Sequence, residues 1–151
     1  MEKIGHDAFC FCDTLQSVTL VKTKIISEYA FRYCKNLNEI KLPKTITIGR
    51  SAFEKCTSLK RVEIPYVEEL FGFTFSECKN LRSIYAPRLQ KINNRVFERC
   101  DSLEQIDFPE VKEIAYNAFI NCTNLQTIKL PKVKKLGSEC FFFCTHLQSV
   151  D

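Results

Sequence analysis

"SAFEKCTSLKRVEIP", residues 51–65, returns in altered form as "NAFINCTNLQTIKLP", residues 117–131, with its phenylalanine, cysteine, leucine and proline at matching positions. Comparing the chain with itself reveals seven such segments, which superimpose without a gap at a constant step of 22 residues. A fixed period of this length is the signature of a repeat protein, in which each unit is one structural building block.

Four rows of equivalent residues define the repeat. Members of one row lie 22 residues apart, so each row should occupy a single structural position. The phenylalanine row is Phe9, Phe31, Phe53, Phe75, Phe97, Phe119 and Phe141; the cysteine row is Cys12, Cys34, Cys56, Cys78, Cys100, Cys122 and Cys144; the leucine row is Leu15, Leu37, Leu59, Leu81, Leu103, Leu125 and Leu147; and prolines close five units at Pro43, Pro65, Pro87, Pro109 and Pro131.

Two apolar periods alternate within each unit. Ile48, Ala52 and Cys56 follow each other at intervals of four, which predicts one face of a short helical turn. Val62 and Ile64 then alternate with charged residues, which predicts a short strand with every second side chain facing inward. Each unit is therefore predicted to contain a helical turn, a strand and a return stretch.

A unit this short cannot bury its apolar face alone, so neighbouring units must stack into a solenoid with one continuous core. Stacked strands are about 4.8 Å apart, whereas packed helices need about 8–10 Å, so the stack should bend. The predicted fold is an α/β right-handed, curved solenoid, with a parallel sheet of about seven short strands on its concave face and short helical turns on its convex side. We expect one domain over residues 1–151, with about seven 22-residue repeats and no evident caps.

The repeating line "L-x-x-I-x-L-P … I-G-x-x-A-F-x-x-C", from Leu37 to Cys56, resembles the BspA-type class of leucine-rich repeats. The resemblance extends over essentially the whole chain and implies a leucine-rich-repeat solenoid. Such repeats occur in bacterial and protist proteins, many of them on the cell surface and some linked to adhesion. The resemblance therefore implies a protein that binds other proteins.

Composition narrows the classes of function. The 22 basic and 18 acidic residues are interspersed, so no basic stripe of the kind that binds nucleic acid is expected. No run of about 18 apolar residues is present, so no membrane span is expected. The opening "MEKIGHDAF" lacks the apolar stretch of a signal peptide. We expect either a cytoplasmic protein or a piece of a longer cell-surface protein.

The cysteine row is predicted to be structural. Equivalent cysteines in a stack point in parallel from backbones about 5 Å apart, a geometry that suits neither a disulfide nor a tetrahedral zinc site. Each is expected to fill space beside the phenylalanine row as a small apolar residue. Free thiols favour a reducing compartment. No metal and no other cofactor is expected.

Catalytic motifs are not evident in the sequence, which has no G-x-S-x-G, no glycine-rich phosphate loop and no H-E-x-x-H. We therefore predict that the chain is not an enzyme. The predicted function is a non-catalytic protein–protein interaction module or scaffold. The alternative is a fragment of a cell-surface adhesin that binds host or matrix proteins.

Binding is predicted on the outward positions of the concave strands. Tyr85 is the expected anchor, because Tyr and Arg are enriched at the centres of protein interfaces. The predicted protein-binding residues are Tyr85, Arg61, Arg82, Arg88, Lys41, Glu63, Asp107 and Lys129.

Self-association is predicted at the two ends of the solenoid. Aromatic residues occur there in rows that are polar in the middle units, and the chain ends within a strand. Uncovered apolar surfaces and strand edges favour pairing with another chain. Phe11, Phe142, Phe143 and Val150 are the predicted contacts of a homo-oligomer.

Overall fold

Each 22-residue repeat forms one coil that contains two short strands. The computed structural model describes residues 1–151 and contains fourteen strands and no helix. The strands are β1 (Lys3–Ile4), β2 (Ser17–Thr19), β3 (Ile25–Ile26), β4 (Glu39–Lys41), β5 (Thr47–Ile48), β6 (Arg61–Glu63), β7 (Glu69–Leu70), β8 (Ser83–Tyr85), β9 (Lys91–Ile92), β10 (Gln105–Asp107), β11 (Glu113–Ile114), β12 (Thr127–Lys129), β13 (Lys135–Leu136) and β14 (Ser149–Val150).

Strands of successive coils pair in parallel and in the register set by the repeat. Ser17 lies opposite Glu39, and Lys3 lies opposite Ile25, each pair being one repeat apart. The even-numbered strands form one side in two sheets, β2–β4–β6–β8 and β10–β12–β14. The odd-numbered strands form a second side, also in two sheets, β1–β3–β5 and β7–β9–β11–β13. The sequence predicted one row of about seven strands, whereas the molecule has two rows.

The predicted helical turns, and with them the α/β class, are wrong; the chain is an all-β parallel solenoid. In the segment between the two strands, the N–H of Phe53 donates to the carbonyl of Thr74 (2.9 Å) and that of Lys55 to Ser76 (2.8 Å), both in the next coil. The N–H of Glu54, which lies between these two donors, turns back to the carbonyl of Ser51 in its own coil (3.2 Å). An α-helix would use all these donors within the segment. Here alternate donors join neighbouring coils instead.

Left-handed backbone conformations explain why the turn cannot continue as a helix. Two residues in every coil have φ near +60°, and they lie four positions apart. None is glycine and none is β-branched, in agreement with the steric cost of a branched Cβ in this region. They are Asp7, Phe11, Tyr29, Tyr33, Ser51, Lys55, Phe73, Glu77, Arg95, Arg99, Asn117, Asn121, Glu139 and Phe143.

The predicted curvature depended on packed helices along one side of the stack, and the structure contains none. On the turn side, the phenylalanine rings of neighbouring coils stack nearly parallel, with centroids 5.0 to 5.8 Å apart. This spacing is close to that of the paired strands. The turns therefore rise at about the same rate as the strands, and the mismatch between helix and strand spacing is absent.

The cysteine row lies inside, as the sequence predicted. Cys34, Cys56, Cys78, Cys100 and Cys122 are fully buried, and all nine cysteines are free thiols. Each row member from Cys34 onward donates its S–H to the phenylalanine carbonyl of the preceding coil, over 3.0 to 3.2 Å. The thiol is therefore both a space-filling group and a donor that links neighbouring coils.

Opposite charges also align along the stack. Besides the longer Lys35–Asp13 pair (4.0 Å), six ion pairs of lysine or arginine join side chains one repeat apart, so each links neighbouring coils and favours the native register. They are Lys24–Glu2 (3.5 Å), Arg32–Glu54 (2.9 Å), Lys55–Glu77 (3.5 Å), Lys91–Glu69 (3.4 Å), Lys132–Glu110 (2.6 Å) and Lys135–Glu113 (2.8 Å).

Candidate binding groove

A groove crosses β4, β6 and β8 on the side formed by the three-residue strands. Its volume is about 300 Å³, which is at the lower end for ligand pockets. Inward residues of the strands close it from below, while outward residues form its walls. It is lined by Val21, Glu39, Ile40, Lys41, Leu42, Pro43, Arg61, Glu63, Pro65 and Tyr85.

The apolar part of the groove comes from the corner after each strand. Val21, Pro43 and Pro65 are equivalent residues of three successive coils, so their side chains form a line along the stack. Val21 is 53% exposed although it is aliphatic. From the sequence, the prolines were predicted only to end the strands, and this surface was not predicted. The repeat itself could have predicted this surface. Val21, Pro43 and Pro65 each come two positions after the last outward strand residue of their coil, so they must share a face.

The charged walls are internally neutralised. Lys41 Nζ lies 3.3 Å from a carboxylate oxygen of Glu39, and a guanidinium nitrogen of Arg61 lies 2.8 Å from Glu63. Each pair belongs to one strand, and the side chains are more than half exposed, so the pairs contribute little to stability. The walls therefore carry charge of both signs, which favours a partner with matched polar groups over a strongly charged one.

Tyr85 stands at one edge of the groove, as the expected anchor. It is 57% exposed, the most exposed of the five tyrosines, and it lies directly across from Glu63 in the β6–β8 register. An exposed aromatic ring next to aliphatic and proline side chains gives a surface on which an apolar group can be buried.

Half of the predicted binding residues come together here and half do not. Lys41, Arg61, Glu63 and Tyr85 all line the groove. The other four, Arg82, Arg88, Asp107 and Lys129, are exposed but lie outside it.

The structure gives a neighbour for three of the four residues outside the groove. The guanidinium of Arg88 lies over the ring of Tyr66, 5.2 Å from its centroid. Asp107 and Lys129 pair in register on the separate β10–β12–β14 sheet.

The predicted self-association residues lie on the first and last coils. Phe11 is 62% exposed and stacks on Tyr33 of the next coil, with ring centroids 4.5 Å apart. In the last coil Phe142 and Phe143 contact each other at 4.2 Å, and Val150 is 47% exposed. These residues form two separate surfaces rather than one.

The structure has no cluster of metal ligands, and the buried thiols of the cysteine row are poorly suited to nucleophilic chemistry. No three His, Cys, Asp or Glu side chains converge as metal ligands. Burial raises the pKa of the Cys34 thiol to about 12 and raises the pKa of Cys56 and Cys100 well above its ordinary value. Buried thiols with raised pKa values are poor nucleophiles. The structure also contains no helix that could cross a bilayer.

The repeat, the paired coils and the buried Cys–Phe core define a leucine-rich-repeat solenoid. More specifically, the chain belongs to the family described as the BspA type leucine rich repeat region, which matches six copies over residues 2–89 and 68–151. The resemblance inferred from the sequence is thereby confirmed. Repeats of this kind generally form non-enzymatic interaction surfaces.

The solved structures that resemble this chain include two leucine-rich repeat proteins. The leucine-rich repeat protein of T. pallidum is 30% identical with a TM-score of 0.69, over 89% of this chain and 57% of that one. A leucine-rich repeat protein of Bacteroides ovatus is 26% identical with a TM-score of 0.58, over 99% of this chain and 52% of that one. The chain thus spans a little over half the length of both. No curated protein matches it.

Proposed function

We propose that this chain is a non-catalytic protein-interaction module that buries an apolar side chain of a partner protein in the groove over β4, β6 and β8. The observation that carries the proposal is the position of the exposed Tyr85 ring beside the line of Val21, Pro43 and Pro65. Burying such a surface is favourable by about 25 cal/mol for each Å² removed from water.

The paired charges around the groove supply orientation. A partner backbone or polar side chain can hydrogen-bond to Glu39, Lys41, Arg61 or Glu63 at the rim, while the centre of the contact stays apolar. This division into an apolar centre and a polar rim is typical of protein interfaces. An extended segment with an apolar residue between polar neighbours fits this pattern.

A library of displayed linear peptides, selected on the intact chain, tests the proposal. Selected peptides should bind the wild-type chain and lose at least tenfold in affinity for Tyr85→Ala, as expected when an aromatic anchor is removed. Tyr116→Ala is the matched control, since Tyr116 is 51% exposed and lies outside the groove. Peptides that bind all three chains equally would exclude the groove as the binding site.

An interaction scaffold and a cell-surface adhesin are two more specific forms of this proposal, and they differ only in the partner protein. Both use the groove to bind protein, so the peptide experiment treats them alike. The adhesin alternative predicts that host or matrix proteins bind the chain and compete with the selected peptide. If such proteins bind without competing, the adhesin version does not act through the groove.

A further inference from the structure

A second groove, the corner groove, lies where each turn leads into its three-residue strand. Its volume is about 270 Å³, and it is lined by Gln16, Asn36, Asn38, Ser58, Lys60 and Asn80. All six side chains are polar, whereas prolines and aliphatic residues line the groove over β4, β6 and β8. The two grooves lie at opposite ends of the strands, because Asn38 and Lys60 precede β4 and β6 while Pro43 and Pro65 follow them.

The corner groove runs along the stack, because two rows of the repeat form its walls. One wall is Gln16, Asn38 and Lys60, and the other is Asn36, Ser58 and Asn80. In the first wall, the N–H of Asn38 donates to the carbonyl of Gln16 (2.9 Å), and the N–H of Lys60 donates to that of Asn38 (3.4 Å). Stacked strands are about 4.8 Å apart, so each wall presents one polar side chain at about that spacing.

Two asparagines of the second wall have amide groups that are fixed in orientation. The Nδ2 of Asn36 donates to the carbonyl of Asp13 (2.6 Å), and the Nδ2 of Asn80 donates to the carbonyl of Thr57 (2.8 Å). The Oδ1 atom of each asparagine is left free to accept a hydrogen bond from a ligand. Fixed acceptors of this kind select a ligand that is rich in donors, and hydroxyl groups are such donors.

The corner also carries an excess of positive charge. Residues 35–38, 57–60 and 79–82 include four cations and no carboxylate, the cations being Lys35, Lys60, Lys79 and Arg82. Lys35 lies 4.0 Å from Asp13, whereas the other three cations form no ion pair within the chain. A surface of one sign attracts a ligand of the opposite sign, so this corner favours an anion.

The carboxylates beside the corner are already paired. Glu39 lies 3.3 Å from Lys41, and Glu77 lies 3.5 Å from Lys55. Their negative charges therefore offset little of the positive potential of the corner.

Arg82 extends the first wall by one coil. It is the equivalent of Lys60 in the next coil, and its N–H donates to the Lys60 carbonyl (2.9 Å). Arg82 lies outside the groove over β4, β6 and β8, and the corner groove gives this exposed arginine a site in which it can act.

We propose that the corner groove binds an acidic oligosaccharide, a chain that carries hydroxyl groups together with carboxylates or sulfates. Its hydroxyls donate to the Oδ1 atoms of Asn36 and Asn80, and its anionic groups accept charge-assisted hydrogen bonds from Lys60 and Arg82. The pyranose rings of an extended chain advance by about the spacing of the coils, so successive rings meet successive coils. These four residues belong to coils that have a neighbouring coil on each side.

An acidic peptide matches the positive charge but fits the corner groove less well. Its carboxylates stand on aliphatic stems, and no apolar side chain lines the groove to pack against those stems. A neutral sugar, in turn, leaves Lys60 and Arg82 without anionic partners. Anionic groups and hydroxyl groups on one chain are therefore the combination that fits. This inference does not depend on the groove over β4, β6 and β8.

Isothermal titration calorimetry of the whole chain tests the proposal with three probes, at about 0.1 M salt. They are a hyaluronan hexasaccharide, whose anions are carboxylates; a heparin hexasaccharide, whose anions are mostly sulfates; and an oligoglutamate peptide with the net charge of the heparin probe. At least one saccharide should bind about tenfold more tightly than the peptide. The saccharide that binds more tightly identifies carboxylate or sulfate as the preferred anion.

Two variants separate the contributions of charge and hydrogen bonding. Lys60→Gln removes a cation and should weaken saccharide binding about tenfold. Asn80→Ser removes a fixed acceptor; it should weaken saccharide binding about fivefold and leave the affinity for the peptide unchanged. Lys44→Gln is the matched control, since Lys44 is exposed, forms no ion pair and lies outside the corner groove.

Both variants should keep the wild-type temperature of thermal unfolding. Lys60 is exposed, and serine already occupies the position of Asn80 in the two neighbouring coils, at Ser58 and Ser102. A change in affinity therefore reports on the groove and not on the fold. The proposal would be overturned if neither saccharide bound, if the peptide bound as tightly as the saccharides, or if Lys60→Gln and Lys44→Gln bound the saccharides equally well.

Discussion

The thiol of Cys78 donates a hydrogen bond to the carbonyl oxygen of Phe53, 25 residues earlier, over 3.1 Å. The same Phe53 carbonyl accepts the N–H of Cys56 in its own coil at 3.2 Å. One buried carbonyl thereby joins a turn to itself and to the following coil. The cysteine row is therefore a row of small side chains that also satisfy buried backbone oxygens, and two predictions follow from its burial.

Replacing Cys78 with alanine should destabilise the fold. The change removes a sulfur from a fully buried site and a hydrogen bond to a buried carbonyl, so we expect a loss of about 1–2 kcal/mol in the free energy of unfolding. Cys10→Ala is the control, since Cys10 is half-buried and lies outside the row; it should change stability by about 0.5 kcal/mol or less. Urea denaturation measures both. Equal losses of stability in the two variants would show that burial and hydrogen bonding of the Cys78 thiol do not stabilise the fold.

Stability should fall at high pH because the buried thiols resist ionisation. Burial raises the pKa of Cys34 from 9.0 to about 12, so the unfolded chain loses this proton first as pH rises. The stabilisation is fully present below pH 9 and is lost between pH 9 and about 12. At pH 10 the loss is about 1 kcal/mol from this group.

Urea denaturation at pH 8 and pH 10 measures the effect of thiol ionisation. Cys34→Ser is the control variant, because serine does not ionise in this range; its stability should change less between the two pH values than that of the wild type. If the variant and the wild type lose the same stability between the two pH values, ionisation of Cys34 is not the cause.

Equivalence of positions along the repeat predicted the interior correctly. The step of 22 residues alone places Phe53 on Phe75 and Cys56 beneath Cys78, because identical coils in register must superpose their rows. It also predicted that Tyr85 faces outward, since strand side chains alternate. Structural features that depend only on the spacing of equivalent residues could therefore be predicted from the sequence.

Features that depend on backbone conformation or side-chain direction were not accessible. The intervals of four from Ala52 to Cys56 fit a helix, yet positive φ at Ser51 and Lys55 redirects alternate donors to the next coil, and neither residue type signals this conformation. Arg88 was predicted as a neighbour of Tyr85 because arginine is enriched at interface hot spots, but its guanidinium lies over the ring of Tyr66 and outside the groove.

Gly49 should be difficult to replace, for reasons of space. A Cβ added to Gly49 would lie 2.5 Å from the backbone nitrogen of Glu28, a distance that requires the neighbouring coil to shift. Gly49→Ala should therefore lower stability by about 2 kcal/mol, as overpacking does. The control is Gly5→Ala in the same row, where no atom lies within 4 Å and the effect should stay within about 0.5 kcal/mol. Thermal unfolding of the two variants separates these outcomes.

Two substitutions at one residue with positive φ should have different effects on stability. Arg99 has φ of 54°, and the next coil has asparagine at the equivalent position, Asn121. Asparagine tolerates this region, so Arg99→Asn should leave the free energy of unfolding unchanged or raise it by up to about 0.5 kcal/mol. Arg99→Val places a β-branched side chain there and should cost about 1–2 kcal/mol.

Lys60 provides the matched control for the valine substitution. It is exposed and does not have a positive φ, so Lys60→Val should change stability by only about 0.5 kcal/mol, as is usual for surface positions. Chemical denaturation of Arg99→Asn, Arg99→Val and Lys60→Val then separates two contributions to the free energy of unfolding. One is the cost of a β-branched residue in the left-handed conformation, and the other is the loss of a charged side chain. A valine that is equally tolerated at both sites would mean that the turn can relax out of the left-handed region, and alternate donors would no longer be required to join the coils.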